Sequence, residues 1–217
     1  SSVPANEAAT EAARPDAPVA DRFRQAMAHH QRGQLAQAET LYREILAQAS
    51  DHFDALQMLG VIEYQRGRHA EASGLFAQVL SIAPDNFSAH INNGNALHGL
   101  GQRTEALASY DHALRLGPDY ATVHYNRGIV LQDLGRLEEA LASYERALHL
   151  EPDHVDARVR HGTMLRKLDR PADALASLDH ALLLEPDNAD TLVNRGITLR
   201  MLGRADEALT AYDRALR

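Results

Sequence analysis

Residues 121–153, ATVHYNRGIVLQDLGRLEEALASYERALHLEPD, carry the pattern on which the chain is built. Apolar residues recur at helical spacing on both sides of Gly135, so the stretch reads as two helices broken by a glycine that supplies a left-handed turn. Glu139 falls at the start of the second helix and Asp153 follows the closing Pro152. Carboxylates there suit capping and the positive end of a helix dipole. Gly128 and Ala140 are the small residues where two helices would touch, and Tyr144 is the large one that fills the gap they leave.

Outward from this stretch the pattern repeats, with Pro84, Pro118, Pro152 and Pro186 at intervals of 34 residues. With the proline at position 32 of a unit, the repeats run 19–52, 53–86, 87–120, 121–154 and 155–188, and a partial one covers 189–217. Position 8 is then Ala26, Gly60, Gly94, Gly128, Gly162 and Gly196, and position 20 is alanine in every unit, from Ala38 to Ala208. Position 24 is always large: Tyr42, Phe76, Tyr110, Tyr144, Leu178 and Tyr212. The turn glycine at position 15 is Gly33, Gly67, Gly101, Gly135 and Gly203, with Asp169 in the fifth unit. There Pro171 follows at the start of the second helix, where its missing N–H costs nothing.

These columns resemble the tetratricopeptide repeat (TPR) family over residues 19–217. The resemblance implies an all-α, right-handed superhelical solenoid of about six helix-turn-helix repeats. The chain departs from the family in lacking tryptophan, with Arg22, Leu56, His90, His124, Arg158 and Leu192 at position 4. Repeat 1 matches least well, having Ser50 for the proline and Ile45 at a usually small site. Residues 1–18, rich in Ala, Pro and polar residues, read as a linker with room for a short helix over 6–14.

Composition narrows the function. The 217 residues are 45% apolar and 24% charged with a net charge of -8, which argues against nucleic acid as a partner because phosphates are bound mainly by Lys and Arg. With no cysteine there is no disulfide, thiolate metal site or cysteine nucleophile. No apolar run approaches the roughly 20 residues needed to span a bilayer, and the start lacks signal-peptide order, so no membrane partner is expected and the compartment is the cytoplasm. The 12 histidines include no HExxH motif or pair three or four residues apart on one helix, so no metal is expected, and His90 and His124 read as packing residues. Phosphate-cradling, dinucleotide and serine-elbow motifs are missing, so neither a catalytic residue nor a cofactor is expected.

What remains is polypeptide binding. Position 6 lies about 200° around the first helix from position 8, so with positions 2, 9 and 13 it faces the concave groove of a stacked array. Position 6 is Arg24, Met58, Asn92, Asn126, Arg160 and Asn194, and Asn95 adds an amide at position 9. An asparagine amide both donates to a peptide carbonyl and accepts from a peptide N–H, and so holds a main chain of almost any sequence. This column resembles that of the superhelical arm of the O-linked N-acetylglucosamine transferases, and residues 121–153 are similar to a repeat of that family. The resemblance implies substrate-polypeptide contacts at Asn92, Asn126 and Asn194, interrupted at Arg160.

At position 12, Arg166 and Arg200 gather positive charge near Arg160 and Lys167, which fits either an acidic partner segment or a solvated rim balanced by Asp156 and Asp190. A clamp for carboxylate tails is excluded, because position 5 is mostly apolar and position 2 often acidic. The expected function is therefore a scaffold that binds an extended protein or peptide, either as the recognition arm of a larger glycosyltransferase or as a free-standing adaptor. The last repeat stops inside its second helix, so association through open solenoid ends is a further expectation.

Overall fold

The computed structural model describes residues 17–216; the short helix expected over 6–14 lies outside them. Twelve helices follow in order: α1 (Ala17–Gln31), α2 (Leu35–Gln48), α3 (Phe53–Gln65), α4 (His69–Ile82), α5 (Phe87–Gly99), α6 (Arg103–Leu116), α7 (Ala121–Asp133), α8 (Leu137–Leu150), α9 (Val155–Lys167), α10 (Pro171–Leu184), α11 (Ala189–Met201) and α12 (Ala205–Ala215). They pack as consecutive pairs, each pair stacked on the next.

Each pair turns in the same way. Backbone N–H groups reach back to the end of the first helix, as in Gly135 to Gln132 (3.0 Å) and Arg136 to Leu131 (2.9 Å). This closure needs a left-handed residue between the helices, and the five turn glycines have φ of 71–74°. Asp169 adopts φ 58° in the fifth turn and keeps the same bonds, Asp169 N–H to Arg166 O and Arg170 N–H to Leu165 O.

Within a pair the large residue at position 24 faces the small residue at position 8 of the first helix, a glycine in repeats 2 to 6 and Ala26 in repeat 1. Tyr42, Phe76, Tyr144 and Leu178 are fully buried and Tyr110 nearly so. A Cβ on Gly128 would come within 2.6 Å of the Tyr144 ring, so only a bare backbone admits the ring.

The first helices are capped differently from the expectation that the acids do this work. Side chains of Asn86 and Asn188 accept from the N–H of Ala89 (2.8 Å) and Thr191 (2.9 Å), and His52 and His154 do the same more loosely. Three of the acids after the prolines instead face the following repeat, where Asp119 pairs with Arg146 at 2.6 Å and Asp85 and Asp187 lie 3.8 and 3.7 Å from His112 and Arg214. They sit one residue too early in the chain to reach the third N–H of the helix.

Position 4, where the chain departs from the family, also joins repeats. His90 Nε2 lies 2.7 Å from the Pro84 carbonyl and His124 Nε2 2.8 Å from that of Pro118, while Arg158 donates to Pro152. Leu192 has no donor, and Arg214 supplies one to the Pro186 carbonyl from α12 at 2.8 Å.

Candidate functional site

First helices of neighbouring repeats approach one another, α3 to α5, α5 to α7 and α9 to α11, more closely than the second helices do. In a stack of pairs the helices that crowd together lie on the inner side of the curve, so α1, α3, α5, α7, α9 and α11 floor the groove. Position 6 is half-buried at Asn92, Asn126, Arg160 and Asn194. Such a site is fixed by its neighbours and still open to a guest.

Two clefts open along this floor, of about 260 and 310 Å³, around the lower limit for small-molecule pockets. The first brings together Asn95 and Asn126 with Tyr64, His98, Tyr110 and Ile129. In it the Tyr110 hydroxyl donates to Asn95 Oδ1 at 2.6 Å, and Asn126 Nδ2 donates to the same oxygen at 3.1 Å. The second brings Arg160 and Asn194 beside Gln132 and Thr163, over an apolar floor of Val159 and Val193 and between Asp156 and Asp190. Asn194 Nδ2 donates to the Asp190 carbonyl at 2.9 Å.

The remaining residues expected in the site are placed otherwise. The Asn92 side chain makes no hydrogen bond among the described residues and lines neither cleft. Arg166 is half-buried with a sheltered Nε that finds no partner among the described residues, and Lys167 and Arg200 are exposed. Among the described residues no ion pair joins Arg160, Arg166, Lys167 or Arg200 to Asp156 or Asp190. Arg160 stands four residues after Asp156, a spacing that permits a helical ion pair, yet it turns to Tyr125. Its Nε donates to the Tyr125 hydroxyl at 3.1 Å and its guanidinium carbon lies 5.8 Å from the ring centre. The balance expected between rim arginines and aspartates is therefore not one of direct contacts.

Sequence columns treated the position 24 tyrosines as packing alone, and here they fall short. Their hydroxyls pass between the helices to the groove side, Tyr42 to Met27 Sδ (3.1 Å), Tyr110 to Asn95 and Tyr144 to Gln132 Oε1 (3.3 Å). Burial raises the Tyr42 hydroxyl pKa to about 12 and also pushes those of Tyr110 and Tyr144 up, so all three stay protonated as donors. The 15-residue spacing of Met27 to Tyr42 and Asn95 to Tyr110 was the available signal.

On the outer side, Ser177, His161 and Glu145 line up as a hydrolase triad would, with His161 Nδ1 3.0 Å from Ser177 Oγ and Nε2 3.7 Å from Glu145. The neighbouring repeat shows what the arrangement is for. Arg127 at the same position bonds Asp111 and Ser143, each at 2.6 Å, and Arg195 bonds Asp179 at 2.6 Å. A base at position 7 thus ties the preceding repeat to its own, and Ser177 is buried with its proton on the Arg158 carbonyl at 2.9 Å. A buried hydroxyl so engaged is no nucleophile. Among the described residues no group of His, Asp or Glu is arranged to hold a metal ion. No described helix is long and apolar enough to cross a membrane.

A repeated pair of helices with a groove on its inner side defines an α-helical repeat protein. The chain belongs to the tetratricopeptide repeat family: the family pattern matches residues 23–87 and 159–217, more than half of the chain, and related patterns match 94–135 and 121–154. A comparison with the curated proteins finds no match. Among solved structures it is similar to MamA from Desulfovibrio magneticus RS-1, at 20% identity and TM-score 0.74, covering 78% of this chain and 96% of that one. It is similar to YrrB, a TPR protein with an unusual peptide-binding site, at 21% identity and TM-score 0.71, covering 81% and 90%. A tetratricopeptide protein from Parabacteroides merdae ATCC 43184 aligns at 18% identity and TM-score 0.78, covering 91% and 78%. At these identities the likeness is one of fold.

Proposed function

We propose that the chain is a polypeptide-binding scaffold of the adaptor type, which holds an extended segment of another protein along the inner groove. The observation that supports this best is the row of half-buried amides on the groove floor, Asn92, Asn95, Asn126 and Asn194, set against two shallow clefts. Asn95, Asn126 and Asn194 are held by hydrogen bonds and line the clefts, and amides so fixed and still open to solvent bind a main chain with little ordering cost. The peptide-binding site of YrrB, on a similar fold, is in keeping with it.

The asparagine column favours a second reading, in which the same groove is the substrate arm of a glycosyltransferase related to the O-linked N-acetylglucosamine enzymes. No comparison supports a transferase, and the adaptor reading comes first. The parent reading frame separates them: several hundred residues of α/β sequence after Arg217 would favour the arm.

The groove itself is tested with a peptide taken from a random twelve-residue display library selected on the full chain. Asn92→Ala combined with Asn126→Ala removes two main-chain contacts worth about 1 kcal/mol each, a loss of roughly thirtyfold in Kd by titration. The melting temperature stays put, since neither side chain fills the core. Unchanged affinity would remove the groove reading.

A further inference from the structure

On the outer side, α8, α9 and α10 line a pocket of about 380 Å³, within the size range of small-molecule sites. The fifth repeat makes room for it by breaking two columns. At position 7 the flanking repeats carry Arg127 and Arg195, which cross to Asp111 and Asp179 at 2.6 Å. The fifth carries His161, whose shorter ring stops 3.7 Å from Glu145. At position 4 it carries Arg158 where repeat 6 has Leu192. Arg158 and His161 both face the pocket, together with Arg170, Ser177 and His180.

The charges there do not cancel. Arg170 is paired to Asp173 at 2.7 Å within its own turn, as Arg136 and Arg204 are to Glu139 and Glu207. Arg158 meets no carboxylate among the described residues: Nη2 donates to the Pro152 carbonyl, and the buried Nε finds no acceptor. Ser177 gives its proton to the Arg158 carbonyl at 2.9 Å, so toward His161 Nδ1, 3.0 Å away, it can only accept. His161 therefore carries its proton on Nδ1, and Nε2 turns a bare lone pair to Glu145, two acceptors with no proton between them. Burial holds this ring below the ordinary histidine value, and the charges of Arg158 and Arg170 push the same way against Glu145.

We infer that the pocket is an anion site for a dianionic phosphate group, free or as the monoester of a small molecule. Arg158 turns to it the N–H groups that Pro152 does not engage, and a guanidinium fork matches two phosphate oxygens at once. Arg170 adds a second positive charge, and Leu165 and Ala176 leave an apolar wall for an organic body. The ligand's charge draws a proton from solvent onto His161 Nε2, which then stands as a cation between Ser177, the ligand and Glu145. The groups facing it are thus Glu145 from α8, Arg158 from α9, Arg170 from the turn, and Asp173 and His180 from α10. Two guanidinium groups repel a metal ion, and among the described residues no acid and histidine group is arranged to hold one. With a net charge of -8 the chain attracts no anion in general, so binding reports this pocket alone. The site is separate from the groove and does not depend on what the groove holds.

Isothermal titration of the full chain with inorganic phosphate and with O-phosphoserine tests the inference. One equivalent binds near pH 7, and titration in two buffers of different ionisation heat shows a proton taken up, an uptake lost in His161→Gln. Binding therefore tightens as pH falls from about 8 to about 6.5. Tighter binding of O-phosphoserine assigns the monoester as the source, and equal or tighter binding of phosphate assigns the free ion. Arg158→Leu, the residue that repeat 6 carries at this position, weakens binding roughly tenfold or more, and Glu145→Gln tightens it. His161→Arg restores the side chain of the flanking repeats: it adds a positive charge yet abolishes binding, because the arginine crosses to Glu145 and fills the pocket, and the melting temperature does not fall. Binding that is unchanged or stronger in His161→Arg would be general attraction and overturns the site. So does wild-type affinity in Arg158→Leu, or no heat from either ligand up to about 10 mM.

Discussion

The same substitution, glycine to alanine inside a helix, is expected to have opposite effects at Gly128 and Gly74. Alanine is the better helix former by about 1 kcal/mol, and at Gly74, exposed on α4 with nothing within 4 Å of a new Cβ, that gain stands alone. At Gly128 the new Cβ would lie 2.6 Å from Tyr144 Cε1 and 2.9 Å from both Cδ1 and Cζ. The ring is fully buried, so it must push its surroundings aside. Overpacking of this kind costs up to about 3 kcal/mol, and after the helix gain about 2 kcal/mol of destabilisation remains. The two variants should therefore differ by about 3 kcal/mol. Urea unfolding followed by circular dichroism reads this as a lower midpoint for Gly128→Ala and a higher one for Gly74→Ala. A repeat array is held together by each repeat and its neighbouring interfaces, so the Gly128→Ala loss should appear first as early melting around repeat 4. A Gly128→Ala midpoint at or above that of the wild type would show that the position 24 ring has room to spare, and the packing argument for the position 8 column would fall.

Two further outcomes follow from backbone and charge. Asp169→Gly should stabilise the chain by about 1 kcal/mol, because φ 58° strains a residue with a Cβ and the turn's hydrogen bonds come from the backbone; an unchanged midpoint would mean that Asp169 sits there without strain. His30, His90, His124 and His161 are each held below the ordinary histidine value of 6.5, chiefly by burial, so the folded chain binds fewer protons than the unfolded one. Their contribution is complete above pH 6.5 and is lost as pH falls from there through the folded values. Stability should then decline on acidification toward pH 5, above the range where the carboxylates Glu139 and Glu207, held low by Arg136 and Arg204, begin to matter. His161→Gln should flatten part of that decline, and an undiminished slope in the variant would remove His161 from the cause.

The fold was legible because a 34-residue period poses the same packing question six times. A single Gly128 is ambiguous, but a small residue at position 8 facing a large one at position 24 in every unit is not. The turn column was legible for a local reason: the residue forced to positive φ is Asp169 in the fifth repeat and glycine in the other five. Capping was read less well, since acids near a helix start resemble caps, and which side chain reaches the third N–H depends on the path of the loop. Asn86 and Asn188 are placed to do so and the acids are not.

By itself the sequence determined the class of this protein, six helix pairs with amides on one face of the first helices, because helical periodicity and the repeat interval are properties of the chain alone. Tertiary structure decided what those amides can do. Asn92, Asn126 and Asn194 occupy one column, yet the Asn92 side chain makes no hydrogen bond among the described residues, Asn126 is tied to Asn95, and Asn194 is turned to the Asp190 carbonyl. Arg160 leaves Asp156 for Tyr125, and the Tyr110 hydroxyl reaches through the core to orient the groove floor. Except for Asn194 and Asp190, which are four positions apart on one helix, these contacts join residues from 15 to 35 positions apart, and hydrogen bonds depend on tenths of an ångström that no periodicity encodes.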